Sequence, residues 1–250
     1  MRRGFTLVEL LVIVAIIGIL TALLLPALSR TKENGYRTVC MSNQRQLGLG
    51  WRMYADDSHG ILASNDWIFR MGDVAESPAN SWVTGNAALD TNPATITSGS
   101  IYPYVKNVKC YRCPADLSVV LATSIPTWRS YSLSCFMNGP KEDEKYHVTS
   151  LSRIDQIQSL SSTLTFIKED ISTIDDGHFL YSTAIANWLN KPAWRHQHGD
   201  TLAFADGHSE YWQWRSELPP TTYIQTGVNL TDSAAIADVN RLQRTAPTGN

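Results

Sequence analysis

From Leu10 to Ser29 the chain runs for twenty residues without one charged side chain. A helix rises about 1.5 Å per residue, so this run would be ~30 Å long, the thickness of a bilayer's hydrocarbon core. A buried helix of a soluble protein can be apolar, yet uncharged runs of this length seldom have that role. The segment predicts a membrane-spanning helix and splits the 250 residues into two materials. The larger part, beyond Ser29, is polar, rich in aromatics and long enough to close its own core. A hydrophobic fraction of 43% argues against disorder. The 21 basic and 23 acidic residues leave a net charge of -2, which argues against a nucleic-acid partner.

Three kinds of N-terminal segment fit an apolar run. A cleaved secretory signal has Arg2 and Arg3 as its basic start and Ala27-Leu28-Ser29 as a small-x-small site. Its apolar part is normally only ~7–15 residues, however. Arg2-Arg3 also suggests a twin-arginine signal. A plain anchor is the second kind. Both leave Glu9 unexplained, because a carboxylate in lipid costs several kcal/mol.

The third kind accounts for Glu9. The start, Met1-Arg2-Arg3-Gly4-Phe5-Thr6-Leu7-Val8-Glu9-Leu10-Leu11, resembles the type IV prepilin signature: basic leader, Gly, Phe, then Glu five residues into the mature chain. That family includes type IV pilins and type II secretion pseudopilins. The resemblance implies that prepilin peptidase cuts between Gly4 and Phe5 and methylates the Phe5 amine. Loss of the two leader arginines would take the formal charge from -2 to -4. It also implies that Glu9, unpaired in the lone subunit, meets the N-terminal amine of a neighbour in a filament. Hydration of Glu9 at the membrane interface is the bland alternative. Pro26 belongs to the same pattern, where it bends or locally melts the helix. The implied N-terminus is cytoplasmic and the head periplasmic, on a single pass through the bacterial inner membrane. Arg30, Lys32, Arg37 and Arg45 after the span do not by themselves support that orientation.

Beyond Ser29 the helical period continues. Tyr36, Cys40, Leu47, Trp51 and Tyr54 fall on one face, and Asp56-Asp57-Ser58-His59-Gly60 reads as the stop. The expected fold is α+β and pilin-like: a long helix packed on an antiparallel β-sheet head. Its divisions are a leader (1–4), an apolar helix (5–29), its amphipathic continuation (30–58), a β-rich head (59–215) and a tail with a short helix (216–250). Ser162–Ile167 and Thr201–Phe204 read as strands, and Ala234–Leu242 as a helix capped by Asp232.

Cys40, Cys110, Cys113 and Cys135 are candidates for disulfides in an oxidising compartment. Reduced thiols are a second reading. A metal site built on Cys110-x-x-Cys113, completed by Cys40 and Cys135, is a third. His196 lies nine residues before Asp206-Gly207, and the spacing resembles an H-x9-DG motif of one prepilin-type group. Read from the residues, Asp206-Gly207 is the turn of a hairpin whose return strand is Ser209–Trp214. His196, Asp206 and the turn then orient backbone. The rival is a metal site of His196, His198, Asp206 and His208. Asp170, Asp175 and Asp176 do not follow a calcium-loop pattern.

No catalytic group is expected, and no cofactor beyond such a structural metal. The expected partners are the peptidase, other pilin-like subunits, an inner-membrane assembly platform and lipid. The expected function is that of a structural subunit, major or minor, of a pseudopilus or pilus-like filament. The rival is a membrane-anchored protein that binds polysaccharide or cargo, with Trp212 and Trp214 as stacking residues.

Overall fold

The computed structural model describes residues 5–70, 74–140, 142–143, 146–216 and 232–247. Helix α1 runs from Leu7 to Asp57, 51 residues, or ~77 Å at the standard rise. A capping box starts it: Thr6 Oγ1 accepts from the Glu9 N–H at 3.3 Å, and Glu9 Oε2 accepts from the Thr6 N–H at 2.8 Å. It ends at Ser58, within the expected stop.

Two environments divide α1. Residues 5–32 are exposed throughout, including all sixteen Val, Leu, Ile and Phe side chains between Phe5 and Leu28. Water does not tolerate an apolar patch of that size, so this half needs lipid or other helices around it. From Glu33 onward the helix touches the head, and Cys40, Leu47, Trp51 and Ala55 are fully buried. Cys40, Leu47 and Trp51 belong to the face expected from the period, and its other members, Tyr36 and Tyr54, are half-buried. The helix also runs unbroken through Pro26, without the local melting expected as one outcome there. Pro26 removes one hydrogen bond, and the intact turns on either side carry the helix across it.

Short elements follow α1: β1 (Ile68–Arg70) pairs with β2 (Val74–Glu76), and α2 (Ala94–Thr97) precedes α3 (Tyr102–Val105). The central sheet holds β3 (Tyr131–Ser134), β6 (Leu164–Lys168), β7 (His178–Phe179), β8 (Gly199–Phe204) and β9 (Ser209–Gln213). A small ribbon, β4 (Glu142–Asp143) with β5 (Val148–Thr149), lies between β3 and β6 in sequence. The sheet order is β7-β3-β6-β8-β9. Its pairs are antiparallel except β3 with the edge strand β7, which is parallel, so the sheet is mixed. The central strands β3, β6 and β8 are buried at every residue, polar side chains included, because both faces of the sheet are covered.

The second half of α1 crosses β6, β8 and β9. Between Leu164 and Ile167 the β6–β8 register shifts by one residue. There the fully buried Gln44 amide reaches in and donates to Thr201 O at 2.5 Å and Phe166 O at 3.5 Å. Neighbouring residues of β9 point to opposite faces. Arg37 of α1 covers the Tyr211 ring at 4.5 Å, while Arg241 of α4 (Ser233–Gln243) covers Trp212 at 3.8 Å. The sheet edge is therefore held between two helices. Asp232 caps α4 as expected, accepting from Ala234 N and Ala235 N. Trp212 and Trp214 pack with Trp188 and Trp194 in the core, so they offer no stacking platform to a sugar.

Candidate functional site

Gly4, the expected cleavage residue, lies outside the described residues, and Phe5 and Pro26 sit on the exposed rod. Glu9 is also exposed there, but it is not unpaired. Its carboxylate accepts from both the backbone N–H and the hydroxyl of Thr6, each at 2.8 Å. The sequence signal for this was Thr6-x-x-Glu9, a capping-box spacing.

The four cysteines are free thiols, which corrects the disulfide expectation. Geometry separates two of them. Cys110 Sγ donates to Gln46 Oε1 at 3.1 Å, and Cys135 Sγ to Tyr181 O at 3.4 Å. Cys110 and Cys113 form no joint site, because Cys110 is inside a 3-10 turn (Val108–Tyr111) and Cys113 lies beyond its end. Cys113 instead meets Cys40 of α1, sulfur to sulfur at 2.8 Å.

His196 completes this cluster. Its Nε2 lies 3.2 Å from Cys40 Sγ and 3.4 Å from Cys113 Sγ. Its Nδ1 lies 2.7 Å from Glu33 Oε1, so Nδ1 donates to that carboxylate while Nε2 faces the sulfurs. Cys40 and Cys113 are fully buried, and His196 nearly so. Burial pushes the Cys40 thiol up. Burial also raises Cys113, but hydrogen bonds from Cys40 and His196 and the charge of Lys168 reverse this and push it down. One sulfur of the pair therefore carries negative charge most readily.

Surrounding residues hold the three groups in place. The Arg195 guanidinium pairs with Asp116 at 2.7 Å, joining the His196 loop to the Cys113 loop. Asp116 also accepts from Ser118 N and Ser130 Oγ, and Ser130 Oγ accepts from Cys113 N. Burial raises the Asp116 carboxyl, and the Arg195 charge with the Ser118 and Ser130 hydrogen bonds brings it below the usual range. His196, Gln197 and His198 all have left-handed φ, at 57°, 63° and 62°. Three such non-glycine residues in a row are strained. The Tyr211 hydroxyl holds the loop by donating to His196 O at 2.7 Å and contacting Gln197 O at 3.3 Å. Gly199 permits this approach, since a Cβ there would lie 2.4 Å from Tyr211 Oη and 2.5 Å from Trp212 O.

The expected set of His196, His198, Asp206 and His208 does not form, because β8 separates its members. His196 precedes β8, and Asp206-Gly207 follows it at the hairpin turn. Asp206 Oδ1 accepts from His208 N at 3.0 Å and faces His208 Nδ1 at 2.5 Å, while Gly207 takes φ +92°. The side chain of His198 is exposed. The two halves of the His-Asp-Gly motif thus act at opposite ends of one strand. Asp170, Asp175 and Asp176 each accept a backbone N–H of their own turn.

An apolar rod in continuous helix with an α+β head, preceded in sequence by a basic leader, Phe5 and Glu9, is an arrangement similar to that of prepilin-like proteins. Residues 1–25 match the family model described as the prokaryotic N-terminal methylation motif. The chain is similar to the type II secretion system core protein G of Escherichia coli (strain K12), 29% identical over 108 residues, covering 37% of this chain and 73% of that one. It is also similar to the type IV wide pilus major component PilA4 of Thermus thermophilus. That match is 32% identical over 78 residues, covering 31% of this chain and 59% of the relative. No solved structure matches the chain.

Proposed function

We propose that the chain is a structural subunit of a type II secretion pseudopilus or a type IV pilus-like filament, and not an enzyme. The observation that carries this reading is the rod of residues 5–32, exposed along its whole length and rooted in a folded head. Such a rod is unstable in water and has two apolar environments available to it, the bilayer and a bundle of its own kind. A single-pass subunit stored in the inner membrane and drawn into a filament uses both.

Processing by prepilin peptidase between Gly4 and Phe5 frees the Phe5 amine beside the capping box. In a lone subunit Glu9 is satisfied by Thr6. An ammonium of a neighbouring subunit binds a carboxylate more strongly than a neutral N–H does. Glu9 therefore exchanges a local cap for an intersubunit pair, and this sets the axial register of the filament. The assembly platform of the inner membrane is the partner for that exchange.

Intact mass and N-terminal sequencing of the mature protein test processing. A chain beginning at methylated Phe5 is expected, and one beginning at Arg30 would sink the proposal. Glu9→Ala tests assembly: the subunit should remain in the membrane and fail to enter filaments. Normal incorporation of that variant would refute the role given to Glu9.

A further inference from the structure

Cys40, Cys113 and His196 bring three ligand atoms within 4.8 Å of one another from three distant parts of the chain. We infer that this cluster is a zinc site that fastens the root of the apolar rod to the head. Two sulfurs and an imidazole nitrogen suit zinc, which takes thiolate and histidine ligands in tetrahedral sites.

Three further observations support it. First, Glu33 sits on the far nitrogen of His196 at 2.7 Å. A carboxylate there fixes the tautomer and turns the free lone pair to the metal, the usual outer partner of a metal-bound histidine. Second, the strained run His196–His198 is held by Tyr211 and by the Arg195–Asp116 pair, and this strain aims Nε2 at the two sulfurs. A disulfide between Cys40 and Cys113 would need neither the imidazole nor its carboxylate. Third, the Tyr131 hydroxyl is fully buried near Cys40 and Asn43, and among the described residues it has no hydrogen-bond partner of good geometry. It is the polar group available to a fourth ligand, such as water.

Binding requires both thiols to be deprotonated, so each zinc ion releases up to two protons to solvent. Zinc at ~2.3 Å from each sulfur places tetrahedral sulfurs ~3.8 Å apart, so the pair must separate by about 1 Å. A cleft of about 490 Å³, bordered by Val39, Asn43, Arg112, Cys113 and Trp128, lies beside the Cys113 side of the cluster. The position explains the purpose. Glu33 is the first residue of α1 to touch the head, and Cys40 the first to be fully buried. A metal here clamps the helix at the point where pull on the rod enters the head.

The test uses the reduced full-length chain in detergent, freed of metal by chelation and titrated with Co²⁺. One equivalent should give thiolate-to-cobalt absorption in the near ultraviolet, and Zn²⁺ should abolish it by displacement. Cys113→Ser should lose most of that band, and Cys110→Ser should keep it. Glu33→Gln should keep the band but weaken zinc affinity roughly 10–100-fold. Trypsin should cut at Arg37 faster in the metal-free protein than in the zinc form. Should a ligand variant fail to fold, the unmodified chain still decides the matter. No thiolate band, equal proteolysis with and without zinc, or a purified chain lighter by two hydrogens through a Cys40–Cys113 disulfide would each overturn the site.

Discussion

Replacing Lys168 with Met should destabilise the head more at pH 8 than at pH 5. Lys168 Nζ lies 3.2 Å from Asp200 Oδ1, and both side chains are fully buried beneath α1. At an effective dielectric of about 20, unit charges at that separation attract by about 5 kcal/mol. Burial pushes the Asp200 carboxyl up to about 7, against the lowering influence of Lys168. Without the ammonium, Asp200 rises further and has one escape, protonation. A carboxyl raised in the folded state gives a contribution that is complete below its unfolded value and is lost as pH climbs through its folded value. The expected loss is ~3–5 kcal/mol at pH 8, the usual cost of orphaning a buried charge, and at most about half of that at pH 5. At 2–4 °C per kcal/mol, the pH 8 loss is a Tm drop of roughly 6–20 °C. Thermal unfolding in detergent, followed by near-ultraviolet circular dichroism of the buried tryptophans, reads it directly. Lys168→Met with Asp200→Leu should recover to within about 1 kcal/mol of the parent, because an apolar pair needs no desolvation. A loss that does not change with pH, or a double variant no better than the single one, would refute the reasoning.

Further outcomes follow from other buried groups. Burial pushes His178 down to about 4, so between about 6.5 and 4 the unfolded chain binds a proton that the folded one refuses. The His178 contribution should fall by ~3 kcal/mol as pH drops through that window, read as the difference between the pH–stability curves of the parent and His178→Gln. Asp176, raised to about 8 by burial and by the Asp175 charge, has the opposite slope from its unfolded value up to about 8, across the same window. Asp238→Ala removes an acceptor for Arg215 N, Ser216 N and Ser216 Oγ, and should cost about 3 kcal/mol by denaturant titration. Gly199→Ala should cost ~1–3 kcal/mol, since its methyl meets backbone at Trp212 O. In cobalt titrations that variant should also bind more weakly, because Tyr211 is pushed from the His196 carbonyl; unchanged binding would show that Tyr211 does not hold the loop.

The features legible in sequence were those encoded within a few residues. The period of α1, its stop at Ser58, the Asp232 cap, the β6 segment and the Asp206-Gly207 hairpin all appear where local patterns place them. The site was legible only in its parts. His196 and the cysteines stood out as residue types, but spacing directed attention to Cys110-x-x-Cys113 and to His196 with Asp206, neither of which forms a joint site. Gln44, Lys168 and Asp200 carried no signal, because a polar residue bound for the interior looks the same in sequence as one bound for water.

The apolar run from Leu10 to Ser29 determines by itself that the chain has a membrane-length rod, and Thr6 to Glu9 determine how that rod begins. Hydropathy and capping are properties of neighbours along the chain, so the sequence contains them in full. Tertiary structure decided which sulfurs meet, which end of β8 each half of the His-Asp-Gly motif occupies, and where the rod takes root. Those depend on where strands end and which loops are thereby brought together, and the Cys40–Cys113–His196 cluster exists only because α1 crosses the sheet beside the start of β8.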